Sequence, residues 1–257
     1  MPRITHIIRT IDSSLRLIII NIAVLVTIAT VSFITSLTGS QFNMATEVLD
    51  LPSGLGVLMR PWSIITYMFT HTDVWHCVFN MIWLYWFGRL YEQFTSGRRT
   101  TLLYLAGGIG GALLYITGSI LWPAASGRYL EGASGAVMAI VAATACTAPN
   151  LKLNLLFLGS IKIKWVALAT LVIFGLGLTG SNAGAHLAHI GGLATGAIWA
   201  LIARARRPRY NKMSTSRLSE TDARAELDRL LDKVRRSGYS SLTAMERRRL
   251  VELSHNI

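Results

Sequence analysis

Charge is scarce in this chain: 15% of its 257 residues are Asp, Glu, Lys or Arg, against roughly 25% in soluble domains. With 52% of residues hydrophobic, that shortage excludes an ordinary water-soluble fold and puts much of the chain in lipid. Cysteine is scarce too. Cys77 and Cys146 both fall inside apolar stretches without spaced partners, which excludes a disulfide framework or a cysteine-based zinc site and leaves packing as their role. No internal repeat of solenoid or inverted-transporter type is evident, which argues against a transporter. No basic stripe with interleaved aromatics is present, so no nucleic-acid partner is expected despite a net charge of +12. The first apolar run has no clear small-x-small site after it and exceeds the usual core of about 7 to 15 residues, so it reads as a retained signal anchor.

What is present is a series of apolar runs near the length needed to span a hydrocarbon layer of roughly 30 Å. They cover 17–37, 78–91, 101–121, 166–179 and 183–203, with a shorter sixth at 135–148. The 78–91 run becomes long enough only if its helix starts near His76 or earlier. Positive charge supports six crossings. Arg3, Arg9 and Arg16 precede the first run, Arg89, Arg98 and Arg99 follow the second, and Lys152, Lys162 and Lys164 lie between the fourth and fifth spans. Arg204, Arg206, Arg207 and Arg209 follow the last. All four groups fall on one face, which the positive-inside rule makes cytoplasmic, with both termini on that side. The net charge is then a topology signal, with attraction to anionic lipid.

The expected organisation is a cytoplasmic N-terminal segment 1–16, a six-helix membrane domain 17–203, a basic linker 204–218 and a small cytoplasmic helical hairpin 219–257. In the hairpin, Leu227, Leu230, Leu231 and Val234 recur at helical spacing, and Gly238 suits the helix stop. Thr243 and Glu246 form a capping box for a second helix holding Leu250, Val251 and Leu253. Its partner is unknown, and no chemistry is assigned to it.

Function has to come from polar residues at membrane depth, where each is costly. Three clusters qualify: His71, His76 and Asn80 entering the second span; Glu131, Gly132, Ala133, Ser134 and Gly135 entering the fourth; and His186, His189, Gly192 and Gly196 in the sixth. All lie toward the extracytoplasmic ends of their helices. From Gly132 to Thr147 the fourth span is only about 24 Å long, so its start, with Ser134, should sit below the surface on the floor of a water-reachable cavity. His189, about 9 Å into its own span at the same rise, matches that depth. A serine hydroxyl needs a positioned base to become a nucleophile, and histidine is the usual one. No Asp lies in the membrane segments to orient the imidazole, so the unit is a dyad. His76 and Asn80, at i and i+4, share one helical face and can donate to the oxyanion, with the backbone N–H groups around Ser134 adding to them.

The combination of H-x-x-x-N at His76 to Asn80, G-x-S-G at Gly132 to Gly135 and A-H-x-G-G at Ala188 to Gly192 resembles the rhomboid family of intramembrane serine proteases. The resemblance covers the six-span core and implies an all-α bundle. It implies Ser134 and His189 as the catalytic dyad, with His76, Asn80 and Gly132 at the oxyanion site, and no metal or organic cofactor. The substrates it implies are single-span or other transmembrane proteins, entered from the side and cut after a small residue near the outer face, in the bilayer of a bacterial inner membrane.

Two positions depart from the family pattern. Trp62-Ser63 stands where many members have Trp-Arg, with Arg60 just before, and Met138 stands where many have a tyrosine that stacks on the histidine. Gly135, Gly192 and Gly196 read as packing residues that bring the sixth helix close to the fourth. His71 reads as a structural hydrogen-bonding residue, Glu92 as a tie between helix ends, and His186 as a weaker competitor to His189. A metal enzyme or transporter using the four histidines would lack both H-E-x-x-H and a neighbouring carboxylate. The alternative within the resemblance is a noncatalytic rhomboid-like protein that binds membrane proteins.

Overall fold

The computed structural model describes residues 12–123, 127–155, 159–178, 183–205 and 220–256. Residues 1–11 of the expected N-terminal segment 1–16, the turn at Ser181, residues 206–218 of the expected linker 204–218 and residue 219 of the expected hairpin lie outside the described residues. The chain divides into two compact units, Met1–Arg206 and Arg207–Ile257.

The first unit is built on six apolar helices: α1 (Ser13–Leu37), α2 (Val74–Glu92), α3 (Gly97–Leu121), α4 (Ser134–Thr147), α5 (Ile163–Gly177) and α6 (Ala183–Ala205). Of these, α1, α3 and α6 are long and apolar enough to cross a membrane. Their starts are set by local chemistry. The α2 helix begins four residues before the apolar run because the Asp73 side chain accepts from the His76 backbone N–H at 2.6 Å, capping the first turn. Its other end is tied to α1, where Glu92 accepts from both the backbone N–H and the hydroxyl of Ser14 at 3.0 and 2.9 Å. Arg89 pairs with Asp12 at the same end, and Gly97 at the start of α3 abuts Ser13. Arg16, Arg89, Arg98 and Arg99 are thereby gathered at one end of the bundle.

Eleven of the fourteen residues of α4 are buried, so this helix is enclosed on every side rather than along one stripe. It packs between α3 and α6. A Cβ at Gly192 or Gly196 would overlap the carbonyl oxygens of Gly135 and Ala139, and one at Gly107 would overlap the Ala139 side chain. Glycine at those positions lets the backbones meet without side chains between them. Two buried tyrosines are paired with backbone carbonyls inside this core: the Tyr67 hydroxyl donates to Gly108 O at 2.6 Å and the Tyr104 hydroxyl to Met68 O at 2.7 Å. Asn21 of α1 donates in turn to the Tyr104 oxygen at 3.1 Å.

Two short antiparallel pairings were not foreseen from the sequence. Strand β1 (Leu51–Pro52) pairs with β2 (Tyr129–Leu130), joining the loop after α1 to the loop before α4, and β3 (Lys152–Leu155) pairs with β4 (Gly159–Lys162). The loop after α1 is also fastened by side chains. Trp62 Nε1 donates to Val48 O at 2.9 Å, Arg60 to Thr46 O at 2.8 Å and Thr66 Oγ1 to Leu49 O at 2.6 Å. Ser63 hydrogen-bonds back to Arg60 O, so the loop is anchored here through Arg60, which also lies over the Tyr129 ring.

In the second unit, α7 (Glu220–Ser237) and α8 (Ala244–Asn256) pack around Leu230, Leu242 and Leu253, with Leu227, Val234 and Leu250 at the edge. The capping box forms: Thr243 N–H donates to Glu246 at 2.8 Å and Glu246 N–H to Thr243 Oγ1 at 3.2 Å. Gly238 ends α7 with φ +77°. Leu231 and Val251, expected in the apolar stripe, are instead 48% and 51% exposed. Each lies one residue, about 100° of helix, beyond a residue that faces the partner helix, and two helices offer a single shared face.

Candidate functional site

The site begins with a loop that is fixed before the helix starts. Gly132 has φ +108°, a region that favours glycine, and a Cβ there would also meet the His76 ring at 2.7 Å. Its N–H donates to Tyr67 O at 2.9 Å, and the next one, of Ala133, donates to Nε2 of the fully buried His71 at 3.3 Å. The Thr72 hydroxyl donates to Glu131 at 2.6 Å. The segment 67–72 thus holds every residue from Glu131 to Ala133, and Ser134 follows as the first residue of α4. The helix starts two residues later than the sequence indicated, because Gly132 and Ala133 are engaged in this pinning.

Across from it, His189, Gly192 and Gly196 lie at i, i+3 and i+7 on one face of α6. Because the two glycines sit directly on Gly135 and Ala139, His189, one turn before Gly192, is brought level with Ser134. His189 Nε2 and Ser134 Oγ are 2.6 Å apart, a hydrogen bond between side chains separated by 55 positions. Both residues are half-buried. His186 is turned elsewhere: its ring tucks against Gly177 of α5 and stands edge-on to His189, with centroids 6.0 Å apart.

The remaining residues singled out in the sequence fall nearby, with their donors partly engaged. His76 is half-buried, stands edge-on to His71 with centroids 5.2 Å apart, and has its ring beside Gly132. Asn80 is buried and donates from its amide nitrogen to His76 O at 2.9 Å, leaving the second amide hydrogen for another acceptor. The Gly132 N–H, already bonded to Tyr67 O, is not directed at an oxyanion in this arrangement. Among the described residues no three His, Cys, Asp or Glu side chains are grouped to hold a metal ion.

Sequence reasoning missed two things. Phe174 of α5 lies with its ring centroid 4.2 Å from that of His189, at 40°; it sits on another helix, 15 positions before the histidine, where no motif spacing points to it. Asp50, in the loop between α1 and α2, is only 2% exposed, and one of its carboxylate oxygens and one of Glu131 are buried without a hydrogen-bond partner among the described residues. Leu51 pairs with Leu130, so Asp50 and Glu131 extend the same ladder. Burial first, then the negative charge of Glu131, push the Asp50 carboxyl up from its ordinary 3.8 to about 7, with Arg60 pulling the other way.

A Rhomboid domain family model matches residues 59–206, which takes in α2 to α6 and every residue of the site. Residues 209–256 match a family of unknown function, DUF6576. The chain is 32% identical over 161 residues to RHOMBOID-like protein 12, mitochondrial, of Arabidopsis thaliana; the match covers 57% of this chain and 48% of that protein. The chain thus spans about half the length of that relative. Long apolar helices together with the domain match mark an integral membrane protein, and since the domain model spans more than half of its length, the chain belongs to the rhomboid family.

Proposed function

We propose that the chain is an intramembrane serine endopeptidase that cuts transmembrane segments of other membrane proteins. The observation that carries this reading is the 2.6 Å hydrogen bond between Ser134 Oγ and His189 Nε2. In the reaction, His189 Nε2 takes the hydroxyl proton as Ser134 Oγ attacks the scissile carbonyl, giving a tetrahedral oxyanion. The intermediate collapses as the imidazolium passes that proton to the departing amine, leaving an acyl-serine. Water, deprotonated by the same imidazole, then attacks the ester and frees the acid and the serine. The oxyanion is met by the N–H groups of the first residues of α4, Ser134 and Gly135, to which a helix start offers no intrahelical acceptor, and by donors on the face of His76 and Asn80.

In this reading α1 to α6 are six spans, the short α4 being enclosed by neighbouring protein, and α7 and α8 form a cytoplasmic hairpin after a basic linker. The end that gathers Arg16, Arg89, Arg98 and Arg99 faces the cytoplasm of a bacterial cell. Substrates are single-span or other transmembrane proteins, and neither a metal nor an organic cofactor takes part. Purified protein incubated with a panel of single-span helices is expected to cleave at least one, with Ser134→Ala and His189→Ala folded but inactive. Cleavage by Ser134→Ala that a chelator abolishes would replace the serine with a metal-dependent mechanism, and no cleavage by wild type would replace this reading with that of a noncatalytic binding protein. Loss in His186→Ala but not in His189→Ala would move the base to His186.

A further inference from the structure

We propose that Phe174 is the positioning residue for the His189 imidazole, an aromatic packing surface supplied by α5 rather than by the helix that carries the serine. The inference rests on the protease reading above. A histidine ring rotates in a broad, roughly two-fold torsional well about its last bond, and a single hydrogen bond at Nε2 does not fix that rotation. At His189 the other nitrogen, Nδ1, is buried without a hydrogen-bond partner among the described residues. Its orientation therefore depends on what packs against the ring.

Phe174 provides that surface, with ring centroids 4.2 Å apart and the planes inclined by 40°. The placement is selective along α5. Leu171, Val172, Ile173 and Leu176 are exposed, whereas Phe174 is packed on the core. The last turn of the same helix also receives the second histidine, since His186 tucks against Gly177 and lies 5.9 Å, centroid to centroid, from Phe174. Both histidines at the start of α6 thus bear on one turn of α5. Met138, one turn after the serine on α4, is buried in the core and presents a flexible thioether rather than a flat face. A leucine at 174 would fill much of the volume of the phenyl ring without offering a face to the imidazole, whereas a tyrosine would keep the face.

The test uses the full chain, reconstituted in vesicles with a single-span substrate that wild type cleaves, and a fluorophosphonate that labels the active serine without needing substrate. Phe174→Leu is expected to keep the wild-type unfolding temperature and KM while lowering kcat and the labelling rate by roughly 30-fold, the scale of a misplaced base. Phe174→Tyr is expected to restore both rates to within about threefold. A Phe174→Leu protein with wild-type kcat overturns the inference, as does a loss that tracks a lower unfolding temperature or is not recovered by tyrosine. Wild-type protein that neither cleaves nor takes the label overturns the protease reading and this inference with it; an active wild type with unaffected Phe174→Leu overturns the inference alone.

Discussion

Two short helices of this molecule, α4 with 14 residues and α5 with 15, are held in opposite ways. The α4 helix is a rod of alanines, glycine and β-branched residues buried on all sides, and its neighbours reach its backbone through glycines. The α5 helix buries only Ile163 and Thr170 and turns Trp165, Leu168, Leu171, Val172, Ile173 and Leu176 outward. In a soluble protein such an outer face would be an aggregation hazard, whereas in lipid it is the expected covering. The contrast teaches that the hydrogen-bonded pair of Ser134 and His189 is assembled from unequal supports: the serine stands on the most tightly enclosed element, and the aromatic contact to the histidine comes from one of the least.

The largest effect should come from breaking the enclosed side. Gly196→Leu places a branched side chain where a Cβ alone would overlap Ala139 O, so α6 has to move away from α4. The expected outcome is a loss of more than about 3 kcal/mol of stability together with loss of cleavage, read by denaturant unfolding in detergent and by the peptide assay. A smaller effect should come from the loop that fastens the start of α4. The Asp50 carboxyl, raised from 3.8 to about 7, keeps its proton in the folded protein over a range where the unfolded chain has lost it. Its contribution is therefore complete below about pH 4, fades as the pH rises toward 7, and is gone above that. Unfolding temperatures measured from pH 4 to 8 should fall across this window in wild type, and Asp50→Asn should flatten the slope; an unchanged slope would remove Asp50 as its source. The smallest effect belongs to the open side. Ile173 is 60% exposed on α5, so Ile173→Ala should change stability by no more than about 0.5 kcal/mol and leave cleavage intact, in contrast to Phe174→Leu at the next position.

How much of this was legible in the sequence follows from the range of the contacts involved. Ser134, His189 and the Gly192 and Gly196 face belong to single-helix periodicities, and a glycine stripe in an apolar helix announces a close neighbour even before that neighbour is known. The capping box at Thr243 and Glu246 is equally local. The early start of α2 that span length required is set by the Asp73 carboxylate, whereas the start of α4 was displaced because Tyr67 O and His71, outside its apolar run, hold Gly132 and Ala133. The β1–β2 pairing, the proximity of Asp50 to Glu131 and the packing of Phe174 on His189 join segments with no shared period, and only the folded backbone reveals them. Leu231 and Val251 show the reverse error, where apolar character alone placed in the core two residues that a two-helix unit has no second face to cover.

The shortness of α4 has one more consequence. Fourteen residues make a rod of about 21 Å, about 9 Å less than the hydrocarbon thickness of a bilayer. A lipid-facing helix of that length would force the surrounding bilayer to thin or the helix to be extended by interfacial anchors. Because α4 is ringed by protein, acyl chains would not meet its deficit, and in the six-span reading the mismatch of this one helix falls inside the bundle, at the residue with which it begins.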